Sequence, residues 1–102
     1  MSKIAIDIDG TICEERNTFE RCLAKPNLKA RDIINKLKKN GNKIIFFTAR
    51  GWQEYAMTEN WLKENKFEYD MLICGKIHYD IYIDDRSIFP DWEKIESKYI
   101  KL

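Results

Sequence analysis

The chain has 102 residues, of which 44% are hydrophobic and 34% are charged, so it is long enough for one folded domain and too apolar for a disordered segment. Its 18 basic and 17 acidic residues give a net charge of +1, which provides no bulk field for nucleic acid or an anionic membrane. Three cysteines without metal-binding spacing argue against a disulfide framework and against zinc. We therefore expect a single domain over residues 1–102, with reduced thiols and a cytoplasmic location.

The first part of the chain predicts a strand, an irregular flap and a helix. Residues 4–8 are apolar on both faces up to Asp7, as in a central parallel strand. Residues 12–25 have no periodicity, which is typical of a flap. Asn27 suits a helix N-cap and Gly41 suits a left-handed helix end. The apolar stripe between them has helical spacing and consists of Ala30, Ile33, Ile34 and Leu37.

The rest of the chain predicts three strands and two helices. The strands cover residues 43–48, 70–74 and 81–84, and the helices cover residues 52–65 and 91–102. In the first of these helices we expect Tyr55, Ala56, Leu62 and Trp52 to face inward. Met57 and Trp61 are expected to lie off that stripe, available for an interface with another subunit. Only residues 75–80 connect the last two strands, although a parallel crossover normally needs a dozen residues.

The alternation of strands and helices predicts an α/β fold, namely a three-layer Rossmann-like parallel sheet with helices on both faces. Sheets of this kind bind ligands at the carboxyl ends of their strands. Polar side chains follow each predicted strand, and we expect them to meet at that edge: Asp7, Asp9, Thr48, Lys76, Asp84 and Asp85.

These residue types suit phosphoryl transfer, which needs a nucleophile, a proton donor and positive charge around the phosphoryl oxygens. Asp7 is the candidate nucleophile, and Asp9 is the candidate for protonating the leaving oxygen and then activating water. Thr48 and Lys76 are the candidates for binding the phosphoryl oxygens.

The acidic residues also predict a metal site. Asp7, together with Asp84 or Asp85, offers the hard oxygen ligands that Mg²⁺ prefers. Two adjacent carboxylates repel each other, and a metal ion or a basic partner relieves that repulsion. Arg50 and Arg86 either contact the substrate or neutralise this acidic cluster, and the sequence favours neither alternative.

The motif DIDGT at residues 7–11, after a hydrophobic strand, resembles the first motif of the haloacid dehalogenase superfamily of phosphatases. Residues 45–50 (IFFTAR), 75–76 (GK) and 83–86 (IDDR) resemble its other three motifs, in the expected order. The resemblance implies an aspartyl-phosphate on Asp7, acid and base roles for Asp9, and a Mg²⁺ ion that also binds the Asp9 carbonyl. It favours Asp85 as a direct metal ligand, with Asp84 behind it and holding Lys76.

The resemblance extends to the phosphatase domain of polynucleotide kinases and to small sugar-phosphate phosphatases. The spacing of the motifs leaves no room for a cap domain, so the site is expected to be open or closed by a second subunit in a homo-oligomer. A small sugar phosphate or nucleotide is the expected substrate, and the 3′-phosphate of a nucleic acid end is less favoured. Two alternatives stay open, a receiver-like phosphoacceptor and a non-catalytic binding module.

Overall fold

The computed structural model describes residues 1–100, which form a three-stranded parallel sheet, three α-helices and two short 3₁₀ helices. The strands are β1 (Lys3–Ile6), β2 (Lys43–Phe47) and β3 (Met71–Ile73), the α-helices are α1 (Leu28–Lys39), α2 (Tyr55–Glu64) and α3 (Trp92–Tyr99), and the 3₁₀ helices are Thr18–Leu23 and Trp52–Glu54. Within residues 1–100, no helix has both the length and the apolar character needed to cross a membrane.

The sheet has the order β1-β2-β3, with both neighbouring pairs parallel. Ile4 lies opposite Ile44, and Phe46 lies opposite both Ile6 and Leu72. This register brings the carboxyl ends of all three strands to one edge of the sheet. The α/β alternation predicted from the sequence is confirmed over these strands, whereas the three-layer arrangement and the absence of a cap stay predictions.

Helix α1 follows the predicted pattern. The side chain of Asn27 accepts a hydrogen bond from the Ala30 amide at 3.0 Å, so it caps the amino end of the helix. The four residues of the apolar stripe are all buried. Gly41 follows the helix with φ of +96°, a left-handed conformation that glycine adopts readily.

Helix α2 buries the predicted face only in part: Leu62 is buried and Tyr55 is partly buried against the core, as predicted, whereas Trp52 is 58% exposed. The buried residues of α2 are Thr58, Trp61 and Leu62, whereas Ala56 is exposed. Trp61 is only 2% exposed, stacks on Phe67 at 5.5 Å between ring centroids, and donates an indole hydrogen bond to the Ala24 carbonyl at 3.0 Å. The prediction that Trp61 is available for a subunit interface is therefore wrong, because the chain after α2 returns with Phe67 and covers it.

The fourth predicted strand, at residues 81–84, does not form. These residues are exposed and have no strand pairing, so β1 has a strand neighbour on one side only within residues 1–100. The connection at residues 75–80 is too short for the crossover that a further parallel strand on β1 requires, which is the physical reason for the error.

Helix α3 begins where the sequence predicts. Asp91 caps it by accepting a hydrogen bond from the Lys94 amide at 3.2 Å. Trp92 is buried, and α3 packs against α1. Of the predicted helix over residues 91–102, the last two residues lie outside the part that the structure describes.

Candidate active site

One cavity of about 300 Å³ lies at the carboxyl edge of the sheet. Asp7 follows β1, Thr48 follows β2 and Lys76 follows β3, so the parallel register places all three in its wall. The complete lining consists of Asp7, Asp9, Glu15, Arg16, Arg21, Thr48, Ala49, Arg50, Lys76, Ile77, His78 and Tyr79. The structure therefore brings together five of the residues predicted to act in the site: Asp7, Asp9, Thr48, Arg50 and Lys76.

A tight turn after β1 positions the two aspartates. The amides of Thr11 and Ile12 both donate to the Ile8 carbonyl at 3.0 Å, and the Gly10 amide donates to the Cys13 carbonyl at 2.9 Å. Gly10 has φ of +78°, which residues with a side chain rarely adopt. The turn reverses the chain directly after Asp9, so the second carboxylate stays at the end of the strand beside the first.

Asp7 is partly exposed to the cavity, with 37% of its side chain accessible, and the Lys76 Nζ lies 3.9 Å from its Oδ1. Burial raises the pKa of Asp7, while the Ile8 amide and the Lys76 charge lower it, and the net effect is a raised pKa. A carboxylate that is poorly solvated yet close to a cation is suited to attack an electrophile.

Asp9 is bound by the buried side chain of Arg50. The Arg50 Nε donates to Asp9 Oδ2 at 3.0 Å and Nη2 donates to Oδ1 at 2.7 Å, which is a bidentate ion pair. The remaining Nη1 donates to the Thr58 hydroxyl at 3.0 Å. Burial lowers the pKa of Arg50, but hydrogen bonding and attraction to Asp9 outweigh it and the pKa is raised. Of the two roles considered for Arg50, this geometry favours neutralising the charge of the acidic cluster over contacting the substrate.

Thr48 and Lys76 are fixed by an extension of the β2–β3 ladder. The Thr48 amide donates to the Ile73 carbonyl at 2.9 Å, and the Lys76 amide donates to the Thr48 carbonyl at 3.0 Å. Thr48 is buried and its hydroxyl oxygen accepts from the Arg50 amide at 3.2 Å. The backbone at both positions is thus held rigidly beside the cavity.

Three aromatic rings surround the ammonium group of Lys76. Its Nζ lies 4.9 Å from the ring centroid of Tyr79, 5.4 Å from that of Phe47 and 5.8 Å from that of Tyr82. These are cation–π distances. No sequence pattern assigns Tyr79 and Tyr82 to the site, since aromatic residues near a strand end are usually packing residues.

Asp84, Asp85 and Arg86 do not line the cavity of about 300 Å³. Asp84 accepts hydrogen bonds from the Tyr82 hydroxyl at 2.6 Å and from the Arg86 amide at 2.8 Å, and the tyrosine bond is the main reason that its pKa is lowered. Asp84 and Arg86 line an adjacent cavity of about 1160 Å³ along β1, which Asp7 and Lys76 also border, and Asp85 lines neither cavity.

No group of three acidic, histidine or cysteine side chains is arranged to hold a metal ion within residues 1–100. Asp7 lines the smaller cavity, whereas Asp84 and Asp85 lie outside it, because the strand that was expected to carry them does not pair with β1. The metal site predicted from Asp7, Asp9, Asp84 and Asp85 therefore stays a prediction.

The cavity residues of the flap and His78 were not predicted from the sequence to belong to the site. Arg21 lies in the 3₁₀ helix Thr18–Leu23, and its Nη1 donates to both Glu54 oxygens, at 2.7 and 2.8 Å. Arg16 pairs with Glu14 at 2.7 Å. The flap has no hydrophobic periodicity that places these residues, and only their positive charge close to the first motif hinted at an anionic ligand.

A family profile described as "PITM 1-3, LNS2 domain" matches residues 4–88. The chain belongs to the LNS2 domain family. The match covers the turn with both aspartates, the β2 end, Lys76 and the acidic pair near residue 85. No curated protein matches this LNS2 domain significantly.

Solved structures share the fold of this LNS2 domain. A structural-genomics target from Vibrio cholerae is 26% identical with a TM-score of 0.79, and 95% of each chain is covered. Chains of the Pnkp1/Rnl/Hen1 complex and of the Pnkp1/Rnl/Hen1 RNA repair complex are 20% and 18% identical, with TM-scores of 0.66 and 0.64. These matches cover 95% and 98% of this chain but only 34% and 32% of the others. The family match supports a phosphatase of the haloacid dehalogenase-like class, and the solved structures share its fold.

Proposed function

We propose that this LNS2 domain is a phosphomonoester hydrolase that acts on a small phosphorylated metabolite, such as a sugar phosphate or a nucleotide, through an aspartyl-phosphate on Asp7. The observation that carries the proposal is the meeting of Asp7, Thr48 and Lys76 in one cavity, with the Lys76 Nζ 3.9 Å from Asp7 Oδ1. A nucleophile, a hydroxyl donor and a cation are the groups that phosphoryl transfer needs.

The reaction proceeds in two displacements. A carboxylate oxygen of Asp7 forms a bond to phosphorus while the bond from phosphorus to the ester oxygen breaks, and Asp9 donates a proton to that oxygen. Asp9 then takes a proton from a water molecule that attacks the aspartyl-phosphate, which releases inorganic phosphate and restores Asp7. Arg50 uses one hydrogen bond on each oxygen of Asp9, so each oxygen keeps a lone pair for the proton.

We propose Mg²⁺ as the cofactor. The partly exposed carboxylate of Asp7 fits an ion that binds one or two carboxylates and keeps several water molecules. The Asp9 carbonyl and either Asp85 or Asp84 are the proposed further ligands. When bound, the ion supplies positive charge that offsets the negative charge of the phosphoryl oxygens.

Replacement of the nucleophile is the direct test. The purified chain with Mg²⁺ is assayed against phosphorylated sugars, nucleotides and 3′-phosphorylated oligonucleotides, and against the same panel with EDTA. We expect Asp7→Asn to lower turnover by roughly a thousandfold or more, as losses of nucleophiles do. Asp32→Asn, an exposed acid on α1, is the matched control and should retain activity.

Full activity of the Asp7→Asn variant contradicts the mechanism. A long-lived phosphorylated chain without turnover favours the receiver-like alternative, and absence of both phosphorylation and hydrolysis favours the binding module. The oligonucleotides are included because the chain resembles parts of an RNA repair complex. Cytoplasmic location remains a prediction.

A further inference from the structure

The flap presents two guanidinium groups to the cavity of about 300 Å³. Arg16 and Arg21 both line it, whereas the acids that pair with them, Glu14, Glu20 and Glu54, do not. Glu15 is the single flap acid in the lining. The flap wall therefore carries more positive than negative charge toward a ligand.

The other two cations of the cavity have partners within the cavity lining itself, whereas the acids that pair with Arg16 and Arg21 lie outside it. Arg50 is bound in bidentate fashion to Asp9, and the Lys76 ammonium faces Asp7 at 3.9 Å. Lys76 is also the cation proposed to meet the phosphoryl group. Arg16 and Arg21 thus add two guanidinium groups to the lining beyond the cation assigned to the phosphoryl group.

Arg21 also has an unsatisfied donor. Its Nε is buried and has no hydrogen-bond partner among residues 1–100, although its Nη1 is fully engaged by Glu54. A buried N–H without a partner is unfavourable, so the Arg21 guanidinium keeps donor capacity beyond its pair with Glu54. A guanidinium matches the planar geometry of a carboxylate or a phosphate.

We propose that the flap binds a second anionic group of the substrate, so that the substrates are small phosphate esters that also carry a carboxylate or another phosphate. This inference rests on the proposed function. A cavity of about 300 Å³ is at the lower end of ligand pockets, so the two anionic groups must be only a few bonds apart.

The test compares three esters on the same two-carbon frame: ethyl phosphate, phosphoglycolate and ethane-1,2-diol bisphosphate. We expect kcat/KM for at least one of the two esters with a second anionic group to exceed that for ethyl phosphate by about tenfold or more. Comparing phosphoglycolate with the bisphosphate identifies whether the flap binds a carboxylate or a phosphate. Equal kcat/KM for all three esters overturns the proposal.

Variants then assign the preference to the flap. Arg21→Gln should reduce the preference for the esters with a second anionic group to about threefold or less. Glu54→Gln removes the same ion pair but keeps the Arg21 guanidinium, so this variant should retain the preference. Arg31→Gln breaks a surface ion pair with Asp32 on α1 and serves as the matched control. An undiminished preference in the Arg21→Gln variant overturns the role of Arg21.

Failure of this proposal is distinct from failure of the proposed function. If no ester is turned over, the phosphatase assignment fails, and the anion site is tested by calorimetry on the Asp7→Asn variant instead. Phosphoglycolate or the bisphosphate should bind about tenfold more tightly than ethyl phosphate, and equal affinities for the three compounds overturn the second anion site.

Discussion

The ionised form of Asp7, which the proposed reaction needs, lowers the stability of the folded chain. Burial raises its pKa, which means that the folded chain binds this proton more tightly than the unfolded chain does. Ionisation of Asp7 therefore destabilises the native state at every pH above the raised pKa. Active sites commonly combine such a stability cost with a reactive group.

Because the pKa of Asp7 is raised in the folded chain, we predict that Asp7→Asn raises the free energy of unfolding at pH 7, measured by urea denaturation. The gain should shrink as the pH falls through the raised pKa toward the ordinary value for aspartate, because the wild-type carboxyl is then neutral as well. Asp32→Asn, at an exposed position, should show no comparable gain. A variant that is less stable than the wild type at pH 7 refutes this interpretation of Asp7.

Turnover should fall over the same pH interval, because only the ionised carboxylate attacks phosphorus. Because the pKa of Asp7 is raised, turnover should be lost at a higher pH than it would be if the nucleophile were an exposed aspartate.

The aromatic rings around Lys76 are expected to hold its ammonium group toward Asp7. We predict that Tyr79→Ala lowers kcat by roughly threefold to tenfold, in line with the energy of a cation–π contact, and that Tyr79→Phe restores most of the activity because the ring is kept.

The matched control for Tyr79 is Tyr99, whose ring lies 5.4 Å from the Lys98 ammonium on α3. Tyr99 does not line the cavity of about 300 Å³ that holds Asp7, Thr48 and Lys76. Tyr99→Ala should leave kcat unchanged. If Tyr79→Phe is as impaired as Tyr79→Ala, the hydroxyl rather than the ring is responsible and the cation–π account fails.

At the scale of elements, the sequence predicts best where local signals agree. Asn27, the buried stripe and Gly41 indicate the same helix, and α1 has those bounds within a residue or two. The turn that carries the two aspartates also follows from local chemistry, because Gly10 has φ of +78°, which residues with a side chain rarely adopt. Helix α1 and the turn after β1 can therefore be predicted from residues that are close together in the sequence. The predicted central, buried position of the first strand is wrong, because β1 lies at one end of the strand order and only Ile6 in it is buried.

Prediction fails where a distant segment decides the outcome. Trp61 is buried by Phe67, which comes after α2, and no pattern within the helix records that contact. Residues 81–84 have the apolar composition of a strand, but the length of the preceding connection decides whether they pair. Arg21 enters the cavity from a 3₁₀ helix that has no buried residue and hence no periodic signal.

At the scale of the whole molecule, the segment that follows Lys76 leaves an unusual apolar surface. Ile77, Ile81, Ile83 and Phe89 are 79%, 77%, 93% and 85% exposed and close in sequence. Ile77 lines the cavity of about 300 Å³, and Phe89 lines the adjacent cavity along β1. Single exposed apolar residues are normal, whereas several in one segment are typical of a contact surface. We propose that this surface takes part in a homo-oligomer, which can also close the open site.

This proposal predicts reversible self-association that depends on the segment. Sedimentation equilibrium should show a mass above 12.2 kDa that rises with concentration, and Ile83→Lys should weaken association by about tenfold or more, because it removes apolar burial and adds charge to the interface. Leu28→Lys, at a half-exposed apolar residue at the start of α1, is the matched control and should associate as the wild type does. A monomer at all concentrations, or equal weakening by both variants, refutes the assignment of the interface to this segment.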